Sequence, residues 1–112
     1  MALSEFELFK IEKAWQAFAA KYPSFIPDQG MRYRLEGHAM FVFERRPALR
    51  DPSMLIESPI AKITWVGTQK YWRLSWMRAT LKWSTYEPKP THRAIESALA
   101  EIAADPYGCF FG

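Results

Sequence analysis

Cysteine occurs once, histidine twice and glycine five times in these 112 residues. Cys109 has no partner for an intrachain disulfide and no neighbour at zinc-ligand or thioredoxin spacing, so a reducing, cytoplasmic setting is the expectation. His38 and His92 lie far apart and form no metal-ligand set with that thiol. The scattered glycines build no phosphate-cradling loop, and neither HExxH nor CxxC is present, so no cofactor is implied. Long apolar runs are missing too. Glu5, Glu7, Lys10, Glu12 and Lys13 break the first twenty residues, which reads as neither a signal peptide nor a spanning helix and predicts no membrane partner.

What remains is an ordinary globular balance, 49% apolar and 24% charged, in a length suited to a single domain over residues 1–112. The net charge of +3 is unevenly spread: residues 31–90 hold eleven Lys+Arg against five Asp+Glu, while both ends are acidic. An anionic partner would meet the central segment.

Ser4-x-x-Glu7 is a capping box, and Leu3 with Leu8 completes a hydrophobic staple. Leu8, Ile11, Ala14, Trp15 and Phe18 then form one apolar stripe of a helix that runs to about Lys21 and stops before Pro23. The prolines and glycine of Tyr22 to Gly30 read as a loop. Met31, Tyr33 and Leu35 alternate with Arg32, Arg34 and Glu36, and a two-residue turn at Glu36-Gly37 or Gly37-His38 returns the chain along Ala39 to Arg45. That hairpin sets Phe41 and Phe43 beside Arg32 and Arg34, where guanidinium groups can lie over rings. Arg46 to Pro59 carries three prolines and reads as a long connection or an edge.

Residues 60–86 alternate most regularly. Ala61-Ile63-Trp65, Trp72-Leu74-Trp76 and Leu81-Trp83 fall on one side of a three-strand meander joined by four-residue loops, Gly67–Lys70 and Met77–Thr80. In this register Trp65 faces Trp72, Ile63 faces Leu74 and then Trp83, and the tryptophans serve as core rather than as a cofactor box. Thr91 is the expected cap of a last helix with Ile95, Ala98, Leu99 and Ile102 on its buried stripe, ended by Asp105-Pro106. The fold class is α+β: an N-terminal helix, an antiparallel sheet made of a hairpin plus the meander, and a C-terminal helix packed on the aromatic face.

The other side of the meander would gather Lys62, Ser75 and Lys82 in one row and Thr64, Arg73 and Ser84 in the next, with Tyr71 beside Tyr86. Cations that neutralise phosphate, hydroxyls that fix it and phenol rings that stack on bases make this the candidate binding face, together with Arg32 and Arg34. A merely solvated sheet face alternates in the same way for packing reasons and is the plainer account.

Glu44-Arg45-Arg46-Pro47, Pro59-Ile60-Ala61-Lys62, Trp72-Arg73-Leu74-Ser75-Trp76, Lys82-Trp83-Ser84-Thr85-Tyr86-Glu87-Pro88 and the closing Asp105-Pro106-Tyr107-Gly108-Cys109-Phe110-Phe111-Gly112 resemble a bacterial family catalogued as domain of unknown function 3024. The resemblance spans nearly the whole chain and implies a stand-alone protein without implying an activity. The family pattern has an acidic residue in the turn before the Lys-Trp pair and a Trp in the closing motif, where this chain has Ala79 or Thr80 and Phe111.

Three function classes follow. The preferred one is a non-catalytic binding module for nucleic acid or another anionic ligand. The second is a small enzyme acting on an anionic metabolite through His92 or Cys109, and the third a homodimer joined by Phe6, Phe9, Phe41 and Phe43. The Asp105–Gly108 turn lets Phe110 and Phe111 press back on the core, with a partner-binding hook or dimer contact as the tail's alternative role.

Overall fold

The computed structural model describes residues 3–111; Gly112, the last residue of the closing motif, lies outside them. Helix α1 (Glu5–Ala19) begins at the expected capping box: Ser4 Oγ accepts from the Glu7 N–H at 3.2 Å, and the Glu7 carboxylate accepts from the Ser4 N–H at 3.1 Å. Its buried stripe is Ile11, Ala14, Trp15 and Phe18. Leu8, expected in that stripe and in the staple, is 39% exposed, so Leu3 alone is buried at this helix entry.

Strands β1 (Gly30–Glu36) and β2 (Ala39–Pro47) form the expected hairpin, and of the two turns left open the structure takes Gly37-His38, with Gly37 at a φ of +59° that glycine adopts without strain. Tyr33 pairs with Val42, Leu35 with Met40, Arg32 with Phe43 and Arg34 with Phe41. Arg46 to Pro59, expected as a long connection or an edge, supplies both: a connection over residues 48–54 and, from Leu55 on, a strand with a free edge. β2 runs on to Pro47, and β3 (Leu55–Val66) already begins at Leu55. The reason is a bulge: Val42 pairs with Ala61 but Phe43 with Pro59, so Ile60 is an extra residue and Pro59 sits where the ladder is interrupted. Residues 55–59 pair with β2 alone, forming an arm of the sheet with one free edge among the described residues.

β4 (Tyr71–Met77) takes the expected register, with Trp65 on Trp72, Ile63 on Leu74 and Ala61 on Trp76. The next pairing departs from expectation. β5 (Trp83–Thr85) sets Trp83 on Met77, Ser84 on Trp76 and Thr85 on Ser75, three residues away from the expected register. An odd slip sends every side chain to the opposite face. Trp83 therefore leaves the core side, and Tyr86 enters it fully buried. The slip is made by a five-residue connection, Arg78–Lys82, in which Leu81 takes a left-handed φ of +64° and the Arg78 N–H donates to the Lys82 carbonyl.

Thr91 is no helix cap. It belongs to the short β6 (Thr91–His92), which pairs with β4 through Thr91 on Arg73 and His92 on Trp72. Helix α2 (Ile95–Ala104) starts after Ala94 without a side-chain cap, and its stripe of Ile95, Ala98, Leu99 and Ile102 is buried as expected. The sheet order is β1-β2-β3-β4-β5, with β6 on the β4 edge beside β5. Both helices pack on the face that carries Val42, Ile63 and Leu74. The opposite face has no covering element among the described residues.

Candidate functional site

The uncovered outer face is built by alternation. Arg32 and Arg34 come from β1, Phe41 and Phe43 from β2, Lys62 and Thr64 from β3, Tyr71, Arg73 and Ser75 from β4, and Trp83 and Thr85 from β5. Lys62 pairs with Ser75 and Thr64 with Arg73, as expected. Two expected members are elsewhere. Lys82 stands in the exposed turn before β5, and Tyr86 is on the core side, so the rows Lys62-Ser75-Lys82 and Tyr71-Tyr86 do not form.

Trp83, which sequence periodicity assigned to the core, is the residue missed. Its ring lies 6.0 Å from that of Phe41 although β3 and β4 run between their strands, and Ser75 beneath them is only 7% exposed. The two rings therefore meet over the short Ser75 side chain and roof the middle of the row. A cation lies over each of the two phenylalanine rings. The Arg34 guanidinium sits 4.6 Å from the Phe43 centroid, and the Lys62 ammonium 5.5 Å from that of Phe41. Beside them lies a cavity of about 330 Å³ whose lining includes Arg34, Phe41, Phe43, Glu57, Pro59 and Trp83.

Glu57 is the charge partner of this face. Its carboxylate accepts from Arg34 Nη2 at 2.7 and 2.8 Å and from Arg45 Nη2 at 3.0 Å. The Arg45 hydrogen bond and then the Arg34 one hold its carboxyl below the usual range. Arg32 is half-buried with Asp28 at 3.9 Å, while Arg73 is exposed and has no carboxylate within ion-pair distance among the described residues.

The groups offered for catalysis are engaged elsewhere. His92 is buried, its Nε2–H donating to the Lys89 carbonyl at 3.0 Å, which leaves Nδ1 to accept from the Ser97 hydroxyl at 2.7 Å. Burial pushes its pKa down. Burial, and then the Asp105 carboxylate, push the half-buried Cys109 thiol up, away from the thiolate that a nucleophile needs. Asp105 itself holds the tail, accepting from the backbone N–H groups of Phe110 and Phe111 at 3.0 and 2.8 Å. Phe110 is buried against Tyr86, as expected of core closure, but Phe111 is 44% exposed and stacked on Tyr22. Of the aromatics offered for a dimer contact, Phe6 and Phe9 are exposed on α1, whereas Phe41 and Phe43 lie among the cations of the sheet face.

No helix among the described residues is long and apolar enough to cross a membrane. A family model described as Domain of unknown function (DUF3024) matches residues 3–112, in agreement with the resemblance carried by the motifs. Neither a curated protein nor a solved structure matches the chain.

Proposed function

Matched over nearly its whole length, the chain belongs to this family of unknown function, and we propose that it is a non-catalytic binding module whose basic sheet face takes single-stranded nucleic acid. The observation that carries this reading is the uncovered face on which Arg34, Lys62 and Arg73 alternate with Phe41 and Trp83. A strand of unpaired bases offers what such a surface accepts. Its phosphates meet the cations, and a base can displace the loosely held ammonium of Lys62 to stack beside Phe41 and Trp83. Duplexes present stacked bases and fit a sheet face less well. Tyr71 and Arg32 extend the surface at either side, and Lys82 flanks it from the turn.

The test is fluorescence anisotropy with labelled oligo-uridylate, oligo-thymidylate and a duplex at low salt. Saturable binding of the single strands is expected, with a log–log salt slope of about −2 for three phosphate contacts. Arg73→Ala should lessen that slope by about 0.7, and Trp83→Ala should weaken binding by roughly 5- to 150-fold, the range of one lost base stack. Binding no tighter than about 10⁻⁴ M, the weak end of non-specific affinity, would end this reading.

A further inference from the structure

The arm of the sheet beyond β4 has a free backbone edge whose direction follows from two hydrogen bonds. The Trp65 N–H donates to the His38 carbonyl at one end of the β2–β3 ladder, and the Ala48 N–H donates to the Met54 carbonyl at the other. Alternation carried from Met54 turns the backbone groups of Ile56 and Ser58 toward β2 and those of Leu55 and Glu57 outward. Pro59, next on the outward side, has no N–H to offer. The edge is short and its surroundings are apolar: Leu49 is 91% exposed, Met54 59%, Leu55 43% and Ile56 37%.

From this geometry we infer that the edge pairs with the same edge of a second copy, antiparallel about a two-fold axis at Ile56. In that register the open N–H and C=O of Leu55 meet those of Glu57 of the second copy, and the reciprocal pair is satisfied by symmetry. Ile56 faces Ile56 of the second copy across the axis. Centring the axis on Glu57 instead would set two carboxylates opposite each other, and like charges in that position destabilise a strand pair.

Charge complementarity extends the match. An antiparallel partner runs its arm tip past Pro59 toward the end of β4, so Asp51 of the second copy approaches the turn that holds Arg78 and Lys82. Leu49 and Met54 of the second copy approach Leu81, which is 79% exposed. A strand from an unrelated protein would supply backbone groups but not this reciprocal set. So small a contact falls at the low end of specific interfaces and makes a concentration-dependent dimer. It leaves the outer sheet face free and does not depend on the binding reading.

Sedimentation equilibrium of the full chain across a range of concentrations, from micromolar to millimolar, tests the pairing. The weight-average mass should rise toward twice the chain mass. Ile56→Cys in a Cys109→Ser background should form a disulfide-linked dimer under mild oxidation, because non-hydrogen-bonded antiparallel neighbours lie close enough to be bridged. Leu55→Pro, which removes an outward N–H without touching the β2 ladder, and Ile56→Lys should each abolish the mass increase while keeping the wild-type circular dichroism spectrum. If Leu55→Pro fails to fold, Ile56→Lys and the cross-link carry the test. A mass independent of concentration together with no cross-link, leaving the edge to a foreign strand or to none, would overturn the inference. So would a dimer that survives both substitutions.

Discussion

Tyr86 is the largest of the fully buried side chains, and its hydroxyl donates to the Glu101 carboxylate at 2.7 Å. A buried phenol needs such a partner, and this one joins β5 to α2. Tyr86→Phe should cost about 1–3 kcal/mol, since the half-buried carboxylate keeps its desolvation and loses its donor; a lowered urea midpoint with an unchanged slope would register it. Asp105 is the second residue of this kind. Left-handed at a φ of +39°, it holds two backbone N–H groups of the tail. Asp105→Ala should release the tail, lessening the burial that chiefly raises the Cys109 pKa and removing the charge that adds to it, so labelling of that thiol by a disulfide reagent should accelerate. The tail's return at Asp105 was legible as a turn, whereas the buried place of Tyr86 was not. Trp83 and Tyr86 both suit a core, and what chooses between them is a left-handed Leu81, a conformation with no residue signature outside glycine, asparagine and aspartate.

Elements with strong local signals were legible. The capping box, the existence of the β1–β2 hairpin and the β3–β4 register each rest on short-range chemistry that the structure repeats, while the hairpin's turn, open between two positions, is settled at Gly37-His38 by the structure. Signals failed where a long-range contact decides. The prolines up to Pro59 leave a connection and an edge both open, and the bulge at Ile60 decides for an edge by giving Pro59 a place where no ladder N–H is required. Thr91 reads as a helix cap, yet its segment is drawn to the β4 edge while His92 reaches α2 through Ser97. That last contact makes the β6–α2 junction sensitive to acid. Burial lowers the His92 pKa in the folded chain, so below the unfolded value of about 6.5 the unfolded chain binds a proton that the folded one resists. Stability should therefore fall as the pH drops from 7.5 to 5.5. His92→Gln should flatten that dependence in urea titrations at the two pH values.

At the scale of the molecule, one cluster of buried side chains joins both helices to the inner sheet face, and Ile11, Ile63, Leu74 and Ile102 are fully buried within it. Ile11→Ala should cost about 2–5 kcal/mol. Against the ~5–15 kcal/mol typical of a domain, adding Ile102→Ala should leave the chain largely unfolded at 37 °C; loss of the near-ultraviolet circular dichroism signal would report it. The α+β architecture was legible because the two helical stripes and the alternating strands all point to one shared layer. The candidate site was legible in part. Arg32, Arg34, Lys62, Tyr71, Arg73 and Ser75 share the outer face, whereas Lys82 and Tyr86 depend on the slipped pairing.

The last edge of the sheet is interrupted. Between β5 and β6 the chain leaves β4 through Glu87, Pro88 and Lys89 before Pro90 returns its carbonyl to the Leu74 N–H. Two prolines and two charges on so broken a border give an incoming chain no continuous template. Crowding or heat that loosens this protein should consequently favour amorphous precipitation over fibres grown from that side.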